Sequence, residues 1–194
     1  MCYNRKNGAR ALCAKSEFRG EDMYIPEIPN NSLMQEIKEI IRLSQELEDD
    51  YMFDYKCPIS EEEITVWENE HNISIPNTIK DWLHFSNGCV IRNYLMHIYS
   101  LSEFDLNRKD MPEDLIIIGE VLGDGEFIAF SKNTGKIIWE DHGSFEEYSD
   151  LKGVLEEIIR ILNDDCGLSQ SSLDALMSLV NKSKNSKENS DLPQ

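Results

Sequence analysis

Residues 85–93 read FSNGCVIRN, and the chain changes its periodicity there. Before them, in NISIPNTIKDWLHFSNG, Ile79, Trp82, Leu83 and Phe85 recur at helical spacing and fall on one face. After them apolar residues alternate with polar ones, which is the signature of strands. Asn87-Gly88 supplies the stop between the two, because Asn and Gly enter the left-handed backbone region at the lowest steric cost. The stretch divides a helical N-terminal half from a sheet-forming half.

On the helical side, ISEEEITVWENEH carries the best-marked start. Ser60 caps, Glu63 answers three residues later, and Ile59 with Ile64 forms a hydrophobic staple. Glu61, Glu62 and Glu63 sit where the helix dipole favours negative charge. Further upstream, NSLMQEIKEIIRLSQELEDD places Leu33, Ile37, Ile40, Ile41 and Leu47 on one face, with a capping box expected from Ser32 and Gln35. On the strand side, NYLMHIYSL, DLIIIGEV, EFIAFS and KIIWED alternate. The short KNTG link predicts an antiparallel hairpin between the last two, and LGDGE reads as a tight turn. Gly119, Gly123 and Gly125 are assigned to that turn. SFEEYSDLKGVLEEIIRILND then returns to helical spacing through Leu151, Leu155, Ile158, Ile159 and Leu162. Gly167 ends it, and SSLDALMSLV adds a short helix. The expected fold class is α+β: N-terminal helices, then a mainly antiparallel sheet of about four to six strands covered by helices. Residues 1–30 read as a poorly ordered basic leader, 31–180 as a single domain and 181–194 as a disordered tail. A start at Met23 or Met34 would equally account for the change of charge sign after the leader.

The chain of 194 residues has a net charge of −18, unevenly spread. Residues 21–180 hold 11 basic and 34 acidic residues, a net of −23. Such a body repels nucleic acid and anionic membrane, which need Lys and Arg to displace counterions, and it attracts a basic protein. The five cysteines are widely spaced with no CxxC pair, so a disulfide framework is not expected and the thiols are read as reduced. No stretch reaches the roughly 20 apolar residues of a membrane span, and the expected location is the cytoplasm.

Motifs that would carry catalysis are absent. There is no phosphate loop, HExxH, GxSxG or GxGxxG. His71, His84, His97 and His142 are scattered without Cys or His at ligand spacing, so no metal is expected. Glu68 and His71, three apart on one helix, make a surface pair as readily as a ligand pair. A nuclease needs clustered acids with a lysine on a strand, and Glu36-Ile37-Lys38 falls on a helix. No catalytic residue and no cofactor is assigned.

The ordered set of pieces resembles the SUKH superfamily. That group is named partly for yeast glucan-synthesis regulators and the SecY-associated protein Syd, and it includes many bacterial immunity proteins. The resemblance rests on the S-x-x-E-hydrophobic start at Ser60 to Ile64, Ile75-Pro76, the helix with Trp82 and Phe85, and Ser86-Asn87-Gly88. Gly119 before a Gly-rich turn and strand completes it. It covers about residues 32–165, including the first helix at 32–49 and a closing helix at 144–163. Cys89 and Val90 depart from it, standing where small residues are frequent. The resemblance implies a binding domain without enzymatic activity, of the kind that blocks a polymorphic toxin, often a nuclease, by direct contact. The alternative it leaves open is a regulatory scaffold that binds a cellular protein. The charge argument adds a surface. Asp124 and Glu126 at the Gly-rich turn, and Glu140, Asp141, Glu146 and Glu147 after the last strand, are the candidate partner-binding residues, facing a basic toxin domain. Phe127, Trp139, Phe145 and Tyr148 are candidate apolar anchors, with Phe127 and Trp139 assigned to the core.

Overall fold

The computed structural model describes residues 23–47, 52–93, 95–106, 111–121 and 126–167. Helix α1 (Met34–Leu47) is followed by strand β1 (Asp54–Tyr55), helices α2 (Glu61–His71) and α3 (Asn77–Leu83), and strands β2 (Cys89–Ile91) and β3 (Met96–Ile98). A 3-10 turn at Leu101–Glu103 leads to β4 (Leu115–Val121), β5 (Glu126–Ser131), β6 (Ile137–Asp141) and β7 (Ser144–Tyr148). Helix α4 then runs over 151–167. The strands form one antiparallel sheet in the order β1 to β7, so every neighbour in space is a neighbour in sequence. The class is α+β, as expected, with seven strands among the described residues. The additional ones are β1, β2 and β7, and β7 takes residues 144–148 from the start of the expected closing helix.

The helical faces form as the periodicity requires. Leu33 just before α1 and Ile37, Ile40, Ile41 and Leu47 on it are buried, as are Ile79, Trp82, Leu83 and Phe85 on and after α3. Leu151, Val154, Leu155, Ile158 and Leu162 are buried on α4. These residues and alternate residues of the strands make one main core. A smaller cluster of Ile117, Phe127 and Ala129, with Tyr99, Met111 and Leu115 packed on it, is separate from that core. Because successive strand residues point to opposite faces, the helices cover one face of the sheet and the segment between β3 and β4 covers part of the other.

The caps divide. Ser60 Oγ accepts from Glu63 N–H at 3.3 Å while the Glu63 carboxylate accepts from Ser60 N–H at 3.0 Å, so the expected box is present. At α1 the expected Ser32–Gln35 box gives way to a tertiary bond. Ser32 Oγ donates to Asp81 Oδ2 at 2.5 Å, and Asn31 Oδ1 accepts from Leu33 N–H at 3.1 Å. Asp81, on α3, is a charged acceptor and a stronger one than an amide. Residues Met23, Ile25 and Ile28 pack on the main core, so packing reaches back into the segment read as leader.

The stretch 85–93 proves to be a clamp. Gly88 holds φ +99°, whereas Asn87 stays out of the left-handed region, so the glycine alone makes the stop. Ser86 is fully buried; its Oγ accepts from Lys56 N–H at 2.9 Å and donates to the Gly88 carbonyl at 2.7 Å. Asn87 Oδ1 accepts from Leu101 N–H at 2.8 Å. Ser-Asn-Gly thus ties the end of α3 to the exit of β1 and to the 3-10 turn. Gly119 also differs from expectation. It lies within β4 at a register break, where a Cβ would stand 2.4 Å from the His97 carbonyl oxygen. It serves close strand approach, and Gly123 and Gly125 lie outside the described residues.

The expectation of fully reduced thiols is corrected: among the described cysteines Cys57 is disulfide-bonded, while Cys89 and Cys166 are free. Among the described residues no helix is long and apolar enough to cross a membrane.

Candidate partner-binding surface

Four of the six acidic residues singled out in the sequence, Glu140, Asp141, Glu146 and Glu147, lie on the β6–β7 hairpin. His142 (φ +48°) and Gly143 (φ +86°) form its two-residue turn, with Asp141 opposite Ser144. Two positive φ values in succession define a type I′ turn, whose twist matches that of the strands it joins. The Glu140 carboxylate accepts from Gly143 N–H at 2.5 Å and holds the turn from below.

Strand register sorts the side chains. Val90, His97, Glu120, Phe127, Glu140 and Phe145 are successive cross-strand partners from β2 to β7, and so stand in one row on one face. That row includes Phe127 of the smaller cluster, so it lies on the face away from the helices. Glu147 shares this face with Glu140 and Phe145. Asp141 and Glu146 share the helix-side face with Trp139 and Tyr148. The expected single patch is therefore two acidic rims on either side of one exposed hairpin.

Each acid also has a local partner. Glu147 pairs with Lys136 across the hairpin. Glu146 accepts from the Tyr148 hydroxyl at 2.8 Å. Burial first and Glu146 second push that phenol up to about 12. Asp141 Oδ1 lies 2.9 Å from His142 Nδ1. All four remain on the accessible hairpin, with β7 exposed along 144–147.

Glu126 stands apart from the other acids. It is 3% exposed, and its carboxylate is committed inward: Trp139 Nε1 donates to Oε2 at 3.4 Å, and His142 Nδ1 lies 2.9 Å from Oε1. A residue so enclosed offers little to a partner. Asp124 lies outside the described residues. Among the anchors, Phe127 and Trp139 are buried as assigned, Tyr148 packs on the main core, and Phe145 is 57% exposed.

Glu126, Asp141 and His142 place one donor atom each within 4.8 Å of the others. This grouping escaped the sequence because Glu126 reaches the hairpin turn only through β5–β6 pairing. The imidazole Nδ1 lies between two carboxylate oxygens, which gives the buried Glu126 carboxylate a polar partner beside the Trp139 indole. The other pair considered for ligation does not converge: Glu68 bonds to Lys80 Nζ at 2.8 Å, and His71 stacks on Trp67 with ring centroids 4.4 Å apart.

No curated protein matches the chain. The model of the SMI1 / KNR4 family (SUKH-1) matches residues 58–160, from the residue pair before the Ser60 cap through the whole β2–β7 sheet and into α4. With that match spanning just over half of the 194 residues, and with the capped α2, the Ser-Asn-Gly clamp and the Gly119 crossing inside it, the chain belongs to the SMI1 / KNR4 family (SUKH-1).

Proposed function

We propose that this protein is an immunity protein: a binder without turnover that neutralises a cognate toxin, a nuclease with a basic cleft, in the cytoplasm of the cell that makes both. The observation that carries the reading is the hairpin. Glu140, Asp141, Glu146 and Glu147 lie on the edge hairpin of the sheet beside exposed Phe145, on a body of net charge −23 over residues 21–180. Asp124 is assigned to the same surface by sequence alone. A cleft that grips phosphates presents Lys and Arg, and complementary charge raises association toward about 10⁸ M⁻¹ s⁻¹ at low salt.

The test uses the toxic C-terminal domain encoded beside this gene. The triple variant Asp141→Asn, Glu146→Gln, Glu147→Gln removes charge but keeps hydrogen-bond acceptors, and Glu140 is spared because it holds the turn. Its association should be about tenfold slower at low salt, with the difference shrinking as screening increases. Unchanged rates and unchanged protection would remove the acidic hairpin from the binding face. If no toxic domain is encoded nearby and the protein binds a resident cellular protein, the regulatory-scaffold alternative takes its place. The purified protein should hydrolyse neither DNA nor RNA, with or without divalent metal.

A further inference from the structure

We propose that the partner is bound by strand addition: an extended, basic segment of the toxin pairs with the free edge of β7 as an eighth strand. This rests on the reading of the acidic hairpin as the binding face and specifies how that face is used. β7 ends the sheet, and among the described residues no strand pairs with its outer side. The type I′ turn fixes which groups point there. Asp141 and Ser144 flank a two-residue loop and so exchange hydrogen bonds. Alternation makes Trp139–Glu146 and Ile137–Tyr148 bonded pairs as well. Ser144, Glu146 and Tyr148 therefore turn their amides toward β6. Phe145 and Glu147 turn theirs outward, giving two N–H and two C=O groups at the spacing of a strand ladder. Residues 144–147 of β7 are all exposed.

Three features select the occupant. A second copy pairing edge to edge would bring Glu146 and Glu147 of both chains together, and like charges across a strand pair are unfavourable. An incoming strand with alternating Lys or Arg would instead meet Glu147 and Glu140 on one face or Glu146 and Asp141 on the other. Phe145, on the face away from the helices and 57% exposed, offers an apolar surface for a residue between those cations.

The probe is a nine-residue peptide of alternating lysine and valine, compared with the same peptide N-methylated at every residue, which keeps the charge but has no N–H on either edge and so cannot pair as a strand. Binding to the full chain at low salt is followed by amide NMR. The expected result is that the unmethylated peptide shifts the amide protons of Phe145 and Glu147 more than those of Glu146 and Tyr148, and binds at least about fivefold tighter than the methylated one. Phe145→Pro removes one outward N–H, a position where an edge strand tolerates proline. It should weaken binding at least about fivefold beyond Phe145→Ala, with folding checked by thermal melting. Equal binding of both peptides, sensitive to salt and indifferent to Phe145→Pro, overturns strand addition while leaving the acidic surface in place. No binding of either peptide overturns both. A peptide-free dimer abolished by Phe145→Pro overturns the basic occupant in favour of a second copy.

Discussion

Single residues decide geometry here more often than charge. Gly119 is the clearest case. Adding a methyl group 2.4 Å from the His97 carbonyl forces β3 and β4 apart, so Gly119→Ala should cost about 3 kcal/mol, read by denaturant unfolding. A change within experimental error would show that the strands can part freely. Ser86→Ala should cost about 1 kcal/mol, because the buried hydroxyl loses its bonds to the Lys56 N–H and the Gly88 carbonyl, while the Lys56 N–H keeps the Gly88 carbonyl as an acceptor at 3.2 Å. The sequence marks both residues without saying why: a glycine beside other glycines reads as a turn, and only the strand register shows that it crosses a backbone. His97 carries a pH dependence. Burial lowers its pKa below the ordinary 6.5, with Glu120 partly opposing the shift and Lys56 adding to it. The unfolded chain therefore takes up a proton near pH 6.5 while the folded one resists. Stability should fall as pH drops from 6.5 toward the lower folded value, and stay level above 6.5. His97→Gln should flatten that window. The lowered carboxyls of Glu39, Glu103 and Glu157, each held down first by a side-chain hydrogen bond, act only below their ordinary 4.5. An unaltered melting profile between pH 6.5 and 5 in the variant would remove His97 from the account.

At the scale of elements, the helices were legible and the short strands were not. Ser60 with Glu63 marked the start of α2 because a capping box is local: both partners lie within one turn. Ser60→Ala should cost about 1 kcal/mol, measured as a shift in the denaturant midpoint with an unchanged slope. An effect near zero would mean that the tertiary bond from Ile59 N–H to the Leu83 carbonyl alone fixes the entry of α2. β7 escaped because Ser144 and the two glutamates after Phe145 resemble a capped helix start. The His142-Gly143 turn and pairing with β6 override that propensity. β1 is two residues long, too short for any period, and β2 is concealed inside the stretch that stops α3. The candidate surface shows the same division. Its acids could be named from the sequence, but their distribution over two faces and the enclosure of Glu126 follow from register, which a sequence does not print.

For the whole molecule, the question is where the folded body begins. The change from basic to acidic composition suggests residue 31, whereas among the described residues packing reaches back at least to Met23. Met23, Ile25 and Ile28 lie half-buried against the main core, and Pro26 is buried. Just beyond them, Asn31 Nδ2 donates to the Asp81 carbonyl at 2.8 Å and Ser32 holds the Asp81 carboxylate. The segment 23–30 thus joins a body in which α4 is already linked to α1 by Lys152 to Glu36 at 3.0 Å and to the residue after β2 by Arg92 to Asp165 at 2.6 Å. Half-burial of three large apolar side chains is worth about 2–3 kcal/mol in total. For a domain of this size that corresponds to about 5–10 °C in Tm. A chain beginning at Met23 should therefore melt well above one beginning at Asn31. Both should be compared with the full chain in reductant, so that the Cys57 disulfide is open in every sample. Charge gives no such ordering, since residues 23–30 carry only Glu27. Equal melting temperatures for the two shortened chains would place the boundary at residue 31 and show that the contacts of Met23, Ile25 and Ile28 add nothing to stability.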